Sequence, residues 1–459
     1  MKPNILLITA DDMEGTTPGA FGGPEGVTPA LDELASEGMI FERAHVPIAV
    51  CQPSRSAMLT GMWPHRNGAE GFEPIDDEVP LLTTLLAAAG YRTGILGKVK
   101  HLAPVERFRW DLIVDMASLG MGRDPARYAE SSREFIAASG ERPWFLMVNA
   151  HDPHRPFHGS TSIDRTFTEA QRETIPEPSR IFAPDEATPV PGYLPDLEDI
   201  RTEYAQYLSS SRRCDDVVAA VLRVLADSGH AADTLVVFLS DNGMAFPFSK
   251  ANCYLQSTHT PLIVRWPGRV APGSRGPQGF VNMLDLFPTF CEVAGVDAGD
   301  TDGRTLLPAL LGTAEKADSE VVTVFHETAA KNRYEMRCVQ DGEYGYIWNG
   351  WAGTRTRYTA ENMSGLSWKA MVAAATSDPD IADRVSFYQD RPTEELYHLA
   401  SDPHSLKNLA ADPAHTPALE AKRASLRAWM AATSDPSRRA FEKSLRPRWW
   451  ARRRRRITG

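Results

Sequence analysis

Asn4-Ile5-Leu6-Leu7-Ile8-Thr9-Ala10-Asp11-Asp12 is an uncharged run that stops abruptly on two carboxylates. Its consecutive aliphatic residues leave no alternation between a wet and a dry face, so it reads as a strand covered on both sides. Similar continuous apolar runs follow at 92–96, 144–150, 234–240 and 261–265. Helix signals lie between them. Thr28-Pro29 offers an N-cap with proline at the first helical position, and Gly38 ends that helix. Leu81 to Ala89 sits between Pro80 and Gly90, and 203–228 carries the longest helical pattern. Strands alternating with helices predict an α/β domain on a large, mostly parallel sheet flanked by helices. In such a sheet functional groups gather at the carboxyl ends of strands, which is where Asp11 and Asp12 stand.

Near 313–320 the pattern changes. Thr313 to Glu320 is polar, and shorter strand-like pieces follow at Val321–Phe325, Met336–Gln340 and Tyr344–Trp348. They predict an antiparallel sheet capped by a helix at about 416–432. The domains expected are a catalytic unit over 1–316 and a smaller C-terminal α+β subdomain over 317–440. Residues 441–459 form a basic tail expected to be disordered, since Arg446 to Arg456 holds seven arginines and no acid. Net charge is −11 despite that tail, so the body is strongly acidic and no nucleic-acid partner is expected.

At 42% hydrophobic the chain can bury a core, which excludes disorder as the whole answer. No apolar run is long enough to span a bilayer. The first apolar run ends on charge rather than on the small residues of a cleavage site. The expectation is a cytoplasmic protein without a membrane partner. Five cysteines, none in a C-x-x-C pair, predict neither a disulfide framework nor a structural zinc site.

Several clusters carry chemistry. Cys51-Gln52-Pro53-Ser54-Arg55-Ser56-Ala57-Met58-Leu59-Thr60-Gly61 places a cysteine where a helix begins. Free backbone N–H groups and the positive end of the helix dipole suit an anionic ligand there, and Arg55 adds a fixed charge one turn on. Asp11-Asp12 and Ser240-Asp241-Asn242-Gly243 end two strands at matching topological positions. Three carboxylates and an amide oxygen make a hard-oxygen site, suited to calcium or magnesium rather than zinc. Gly97-Lys98-Val99-Lys100-His101 follows the strand 92–96 and supplies a cation for an anion's oxygens and a proton carrier. Lys100 reads as a solvated lysine.

The Cys51–Gly61 element resembles the signature of the type I sulfatases, C-x-P-S-R-x-x-x-L-T-G, and matches it at every fixed position. The resemblance implies the alkaline-phosphatase-like sulfatase fold. It implies a Cys51 oxidised to formylglycine by a maturation enzyme. It also implies a calcium ion held by Asp11, Asp12, Asp241 and Asn242 and touched by residue 51. Lys98 and His101 take family roles in the longer form, G-K-x-x-H. In Asn149-Ala150-His151-Asp152-Pro153-His154-Arg155, His154 matches the family histidine that approaches the leaving atom, while His151 packs or orients. Lys250 matches a cation that binds sulfate from the other side. The implied catalytic set is thus Cys51, Arg55, Lys98, His101, His154 and Lys250. In the implied mechanism a hydroxyl of hydrated formylglycine attacks sulfur, His154 protonates the leaving group and His101 serves as base when sulfate is expelled.

Within the family the resemblance runs furthest toward the sulfamidases, which hydrolyse N-sulfoglucosamine in heparan sulfate breakdown. Gly303-Arg304-Thr305-Leu306-Leu307-Pro308, His326-Glu327, Met336-Arg337 and Leu396-Tyr397 through Asn408-Leu409-Ala410 carry it, beyond the shared motifs. His326, Glu327 and Arg337 are then candidates to bind the sugar. Two residues depart: the Gly97–His101 spacing looks like iduronate-2-sulfatases, and Lys250 stands where sulfamidases have arginine. The alternatives are an O-sulfatase of a sugar or alkyl sulfate, and a phosphodiesterase or phosphonate monoester hydrolase of the same superfold. A carbohydrate-binding pseudoenzyme would need Cys51 to stay a thiol. The partners expected are a sulfated sugar, the maturation enzyme and a second copy in a homodimer.

Overall fold

The computed structural model describes residues 2–314, 318–354 and 356–446. Its central sheet has eight strands, in the order Leu112–Val114, Arg92–Leu96, Trp144–Asn149, Asn4–Ala10, Thr234–Ser240, Leu262–Arg265, Met39–Phe41 and Ser274–Arg275. The first five run parallel, and Leu262–Arg265 pairs antiparallel with its neighbours on both sides. The mostly parallel sheet expected from the apolar runs is therefore present. Every residue of Asn4–Ala10, Trp144–Asn149 and Thr234–Ser240 is buried, because helices cover both faces.

Register sets the site. Ala10 is paired with Ser240, so Asp11 and Asp241 leave the sheet side by side. Thr9 is paired with Asn149 on the other flank. The helix Cys51–Thr60, buried along its whole length, points its first residue at these strand ends. Gly97 turns the chain out of Arg92–Leu96 at φ 74°, and a Cβ there would lie 2.5 Å from the Asn149 carbonyl oxygen. Only glycine fits that approach.

The smaller sheet is antiparallel and has four strands, Glu320–Glu327, Arg333–Asp341, Tyr344–Asn349 and Glu394–His398. The first three match the expected pieces, and the helix Thr416–Ala432 covers them as expected. The fourth strand adds to those pieces. Before it, the chain leaves the small sheet and sends the helix Leu366–Ala374 back against the long helix Glu198–Asp227 of the large domain. Val324, Phe325, Met336 and Ile347 accordingly share one apolar core with Phe246, Phe248 and Tyr254. The start of the segment expected as a tail is folded. Arg438–Ser444 is a helix whose Phe441 is buried edge-on against Trp348, at 5.6 Å between ring centres. Residues 447–459, which hold most of the arginines, lie outside the described residues. Among the described residues no helix is long and apolar enough to cross a membrane.

Candidate active site

The expected residues converge at the carboxyl ends of the central strands. Cys51 Sγ lies 3.3 Å from Asp11 Oδ1 and 3.9 Å from Asp12 Oδ1. Lys250 Nζ donates to Asp12 Oδ1 at 2.6 Å and stands 3.1 Å from Cys51 Sγ. Lys98 pairs with Asp11, and Arg55 Nη2 pairs with Asp241 Oδ2 at 2.7 Å. Asn242 Nδ2 donates to Asp12 Oδ1 at 2.6 Å. His154 Nε2 lies 3.9 Å from Asp12 Oδ2. Asp12 takes a left-handed backbone, φ 71°, which lets its N–H reach Asp241 Oδ1 at 3.2 Å.

Apart from His154, which is part-exposed, these groups are almost wholly withdrawn from water, which is costly for charge unless the balance is close. Asp11, Asp12 and Asp241 oppose Arg55, Lys98 and Lys250, three against three. Burial alone would raise the Asp11 carboxyl, but Lys98 and its other neighbours hold it well below the usual range. Burial wins at Asp12, which is raised despite Lys250, and at Asp241, pushed up to about 7 against Arg55. Burial and the Asp11 charge push the Cys51 thiol well above its usual value. An unmodified Cys51 is then a protonated thiol and a poor nucleophile. Burial and the nearby lysines depress His154 against the pull of Asp11, and burial with Lys98 takes His101 down to about 2, which favours the neutral ring at both.

The donor set fits a hard cation. Asp11 Oδ2, Asp12 Oδ2, Asp241 Oδ2 and Asn242 Oδ1 are all buried, and no hydrogen bond satisfies any of them. Lys98 and Arg55 face two of the four as ion pairs. Oxygens gathered at one place, two of them (Asp12 Oδ2 and Asn242 Oδ1) facing no donor, are what a calcium-type ligand set requires.

A family model described as Sulfatase matches residues 3–296, and one described as N-sulphoglucosamine sulphohydrolase, C-terminal, matches residues 244–349. The chain belongs to the sulfatase family. Formylglycine and a metal ion are typical of that family. This sulfatase is 32% identical to human N-sulphoglucosamine sulphohydrolase, over 94% of its own length and 91% of the relative's. It is accordingly a hydrolase of sulfate esters or sulfamates. Its fold resembles that of a protein solved with its substrate D-glucosamine-2-N,6-O-disulfate, with a TM-score of 0.70 at 17% identity over 95% of this chain and 99% of that one. It also resembles the phosphonate monoester hydrolase of Agrobacterium radiobacter, with a TM-score of 0.67 at 20% identity over 94% and 96% of the two chains.

Sequence reasoning missed the groups that brace the sulfatase's site. Thr9 Oγ1 and Asn149 Oδ1, neighbours across the sheet, both accept from Arg55 Nη1. A polar residue closing each of two buried apolar strands was the available signal. Asp152 accepts from buried Arg123 at 3.0 Å and buried Arg213 at 2.6 Å, and Arg123 also holds the His154 carbonyl. His151 Nδ1 stands 3.6 Å from Asp11 Oδ2. Lys100 is exposed.

The three candidate sugar-binding residues lie apart from this cluster, where the small sheet meets the loop Glu70–Glu73. Arg337 is fully buried and paired with fully buried Asp435 at 2.6 Å, so its charge is already engaged inside the fold. His326 Nδ1 bonds to Glu335 at 3.0 Å and lies 3.5 Å from Glu70. That trio could chelate a metal by distance, but Arg333 and Arg337 already neutralise its carboxylates. Glu327 is linked through Lys331 to Glu73, whose carbonyl accepts from Gln52 beside Cys51.

Proposed function

We propose that this sulfatase removes the sulfo group from a small sugar, N-sulfoglucosamine by preference, using formylglycine at position 51 and calcium held by Asp11, Asp12, Asp241 and Asn242. The preference is supported by the relationship to the human sulfamidase across nearly the full length of both chains. The observation that carries the chemistry is the cluster of four buried oxygens beside Cys51, two of which face no cation.

Calcium, when bound, supplies positive charge for the sulfate oxygens and for the attacking oxygen of residue 51. Formylglycine supplies, as its hydrate, a nucleophile that can also release sulfate, which a plain serine cannot. A maturation enzyme is the partner this requires. Added to three carboxylates and three cations, a divalent ion leaves net positive charge, which matches an anionic substrate. Lys98 and Lys250, which pair with Asp11 and Asp12, are placed to neutralise sulfate oxygens. Arg55, fixed by Thr9, Asn149 and Asp241, adds a charge that does not move.

His154 Nδ1 lies 2.6 Å from the Arg155 carbonyl, which can only accept, so Nδ1 carries a proton and Nε2 faces the site. That carbonyl also stabilises the imidazolium, from which Nε2 donates to the departing nitrogen or oxygen. His101 Nδ1 is buried without a hydrogen-bond partner and is held neutral, as a proton acceptor must be. The test is sulfate release from N-sulfoglucosamine, 6-O-sulfoglucosamine, a 2-O-sulfo-uronate and a phosphodiester, using protein co-expressed with a maturation enzyme. Release from O-sulfo sugars but never from the N-sulfo sugar rejects the sulfamidase preference and leaves the sulfatase chemistry standing.

A further inference from the structure

His154 is aimed through its neighbour. Its Nδ1 donates to the Arg155 carbonyl at 2.6 Å, so the place of that carbonyl decides where Nε2 points. The Arg155 side chain runs away from the site into a closed joint. Its Nη1 pairs with Glu203 Oε1 at 2.5 Å, and its Nε and Nη2 donate to the Ala245 carbonyl at 3.1 and 2.9 Å. The guanidinium also covers the Phe157 ring, 4.4 Å from its centre. Ala245 lies on the loop that follows Asn242, so Arg155 ties the histidine's loop both to that loop and to the long helix.

Glu203 stands on the long helix Glu198–Asp227, is buried, and takes no part in the sulfur chemistry. Besides Arg155 it accepts from the N–H groups of Leu366 and Ser367 at 2.8 Å each, where the helix Leu366–Ala374 begins. Both carboxylate oxygens are thus engaged, one of them twice. Burial raises this carboxyl, but Arg155 and Ser367 outweigh it and hold it below its usual value, so a charge stands there. The space around the pair is closed as well: a Cβ at Gly365 would collide with both Arg155 Nη2 and Glu203 Oε1.

We propose that Glu203 is a positioning residue for the general acid: by fixing Arg155 against the long helix it holds the carbonyl that aims His154 Nε2 at the leaving atom. The assignment rests on the proposed role of His154 and adds to it what keeps the ring in place. The cations that face the sulfo group have other partners, Lys98 with Asp11, Lys250 with Asp12, and Arg55 with Thr9 and Asn149. Loss of Glu203 therefore falls on the proton transfer rather than on sulfate binding. A displacement of about 1 Å at a reacting group can cost about 10²-fold in rate. The cost is greatest where the leaving group needs its proton, an amine or a sugar alkoxide rather than a nitrophenoxide.

The experiment compares kcat for the best sulfated sugar, N-sulfo or O-sulfo, with kcat for nitrophenyl sulfate, in the matured wild type, Glu203→Gln, His154→Ala and the double variant. Glu203→Gln keeps the size of the side chain and removes the charge that holds Arg155. The ratio of the two kcat values is the readout, because a partly misfolded variant loses both in proportion. We expect the ratio to fall about 10- to 100-fold in Glu203→Gln, with KM for the sugar within about two-fold of wild type. Once His154 is alanine, Glu203→Gln should cost the sugar reaction nothing further. Should Glu203→Gln fail to fold, Gly365→Ala, which crowds the pair and leaves its charges, is expected to lower the ratio in the same sense. A ratio within about two-fold of wild type, or a loss that adds in full to that of His154→Ala, overturns the assignment of Glu203 and leaves His154 standing. An unchanged ratio in His154→Ala itself overturns the acid, and the Glu203 assignment with it.

Discussion

Lys250 Nζ bridges Cys51 Sγ, at 3.1 Å, and Asp12 Oδ1, at 2.6 Å. One ammonium thus touches the residue proposed as nucleophile and a residue proposed as metal ligand. The bridge does not make Cys51 reactive as a thiol, because burial and Asp11 outweigh Lys250 and hold the proton on sulfur. Conversion to the aldehyde removes that obstacle. The Cys51 peptide of active protein is expected to be lighter by roughly 18 Da than its thiol form, and Cys51→Ser to abolish turnover. Mass spectrometry of the peptide beside a turnover assay decides it. Full activity with only unmodified cysteine would refute the formylglycine.

Metal content offers a separate check. Four buried oxygens gathered at one place predict one hard divalent ion per chain, and Asn242→Ala removes one ligand without changing the charge. Elemental analysis after dialysis should find near-stoichiometric calcium in the wild type and weakened binding in the variant. Stoichiometric zinc, with calcium unable to restore a chelated enzyme, is the contrary outcome.

The large sheet and the site residues at its strand ends were legible because each rests on local pattern. An unbroken apolar run marks a covered strand, and the polar residues at its carboxyl end mark the site. The part that was not legible depends on contacts distant in sequence. Arg337 reads as a chemical residue until Asp435, 98 residues on, is found engaging it inside the fold. The excursion around Leu366–Ala374 lacks a strong apolar stripe, and its place is fixed by Glu203 on the long helix instead. The boundary expected near 313–320 marks a change of sheet, but apolar side chains of the small sheet share one core with the long helix and with the loop around Phe246 and Phe248 of the large domain.

Arg337 therefore gives a stability prediction. Removing one partner of a buried pair strands the other, so Arg337→Met should cost about 3–5 kcal/mol. Asp435→Asn should cost a similar amount, and the double variant less than the sum of the two. Denaturant melts of the three proteins measure this. A raised KM for sugar with unchanged stability would instead return Arg337 to substrate binding.

Asp215 gives a pH dependence. It is buried under the start of the helix Pro29–Ser36, accepting from the N–H groups of Ala30 and Leu31 at 2.9 Å each. Burial pushes it from 3.8 up to about 7 despite those bonds. Between those values the folded state holds a proton that the unfolded chain has lost. The Asp215 contribution is fully present below about 4 and is lost as pH rises through about 7. Asp215→Asn should therefore gain stability relative to wild type between pH 5 and pH 8, by on the order of a few kcal/mol. Melts at the two pH values test this, and a constant difference refutes it.

His154 bears on the bond that is cut. An amine leaving as its anion is far more basic than a phenoxide, so the acid matters most for a sulfamate. The Nδ1 contact with the Arg155 carbonyl aims Nε2 at the site and favours the protonated ring, while burial and the lysines oppose protonation. A bound substrate's anionic group shifts that balance back toward the imidazolium. His154→Ala should lower sulfamate hydrolysis by about 10²–10⁴-fold, the range for a lost general acid. With nitrophenyl sulfate, whose leaving group departs unaided, the loss should be much smaller. The alkaline limb of the sulfamate pH–rate profile, where His154 loses its proton, should also disappear in the variant. Equal losses on both substrates would mean that His154 positions the sulfo group, and the proton would have to come from elsewhere.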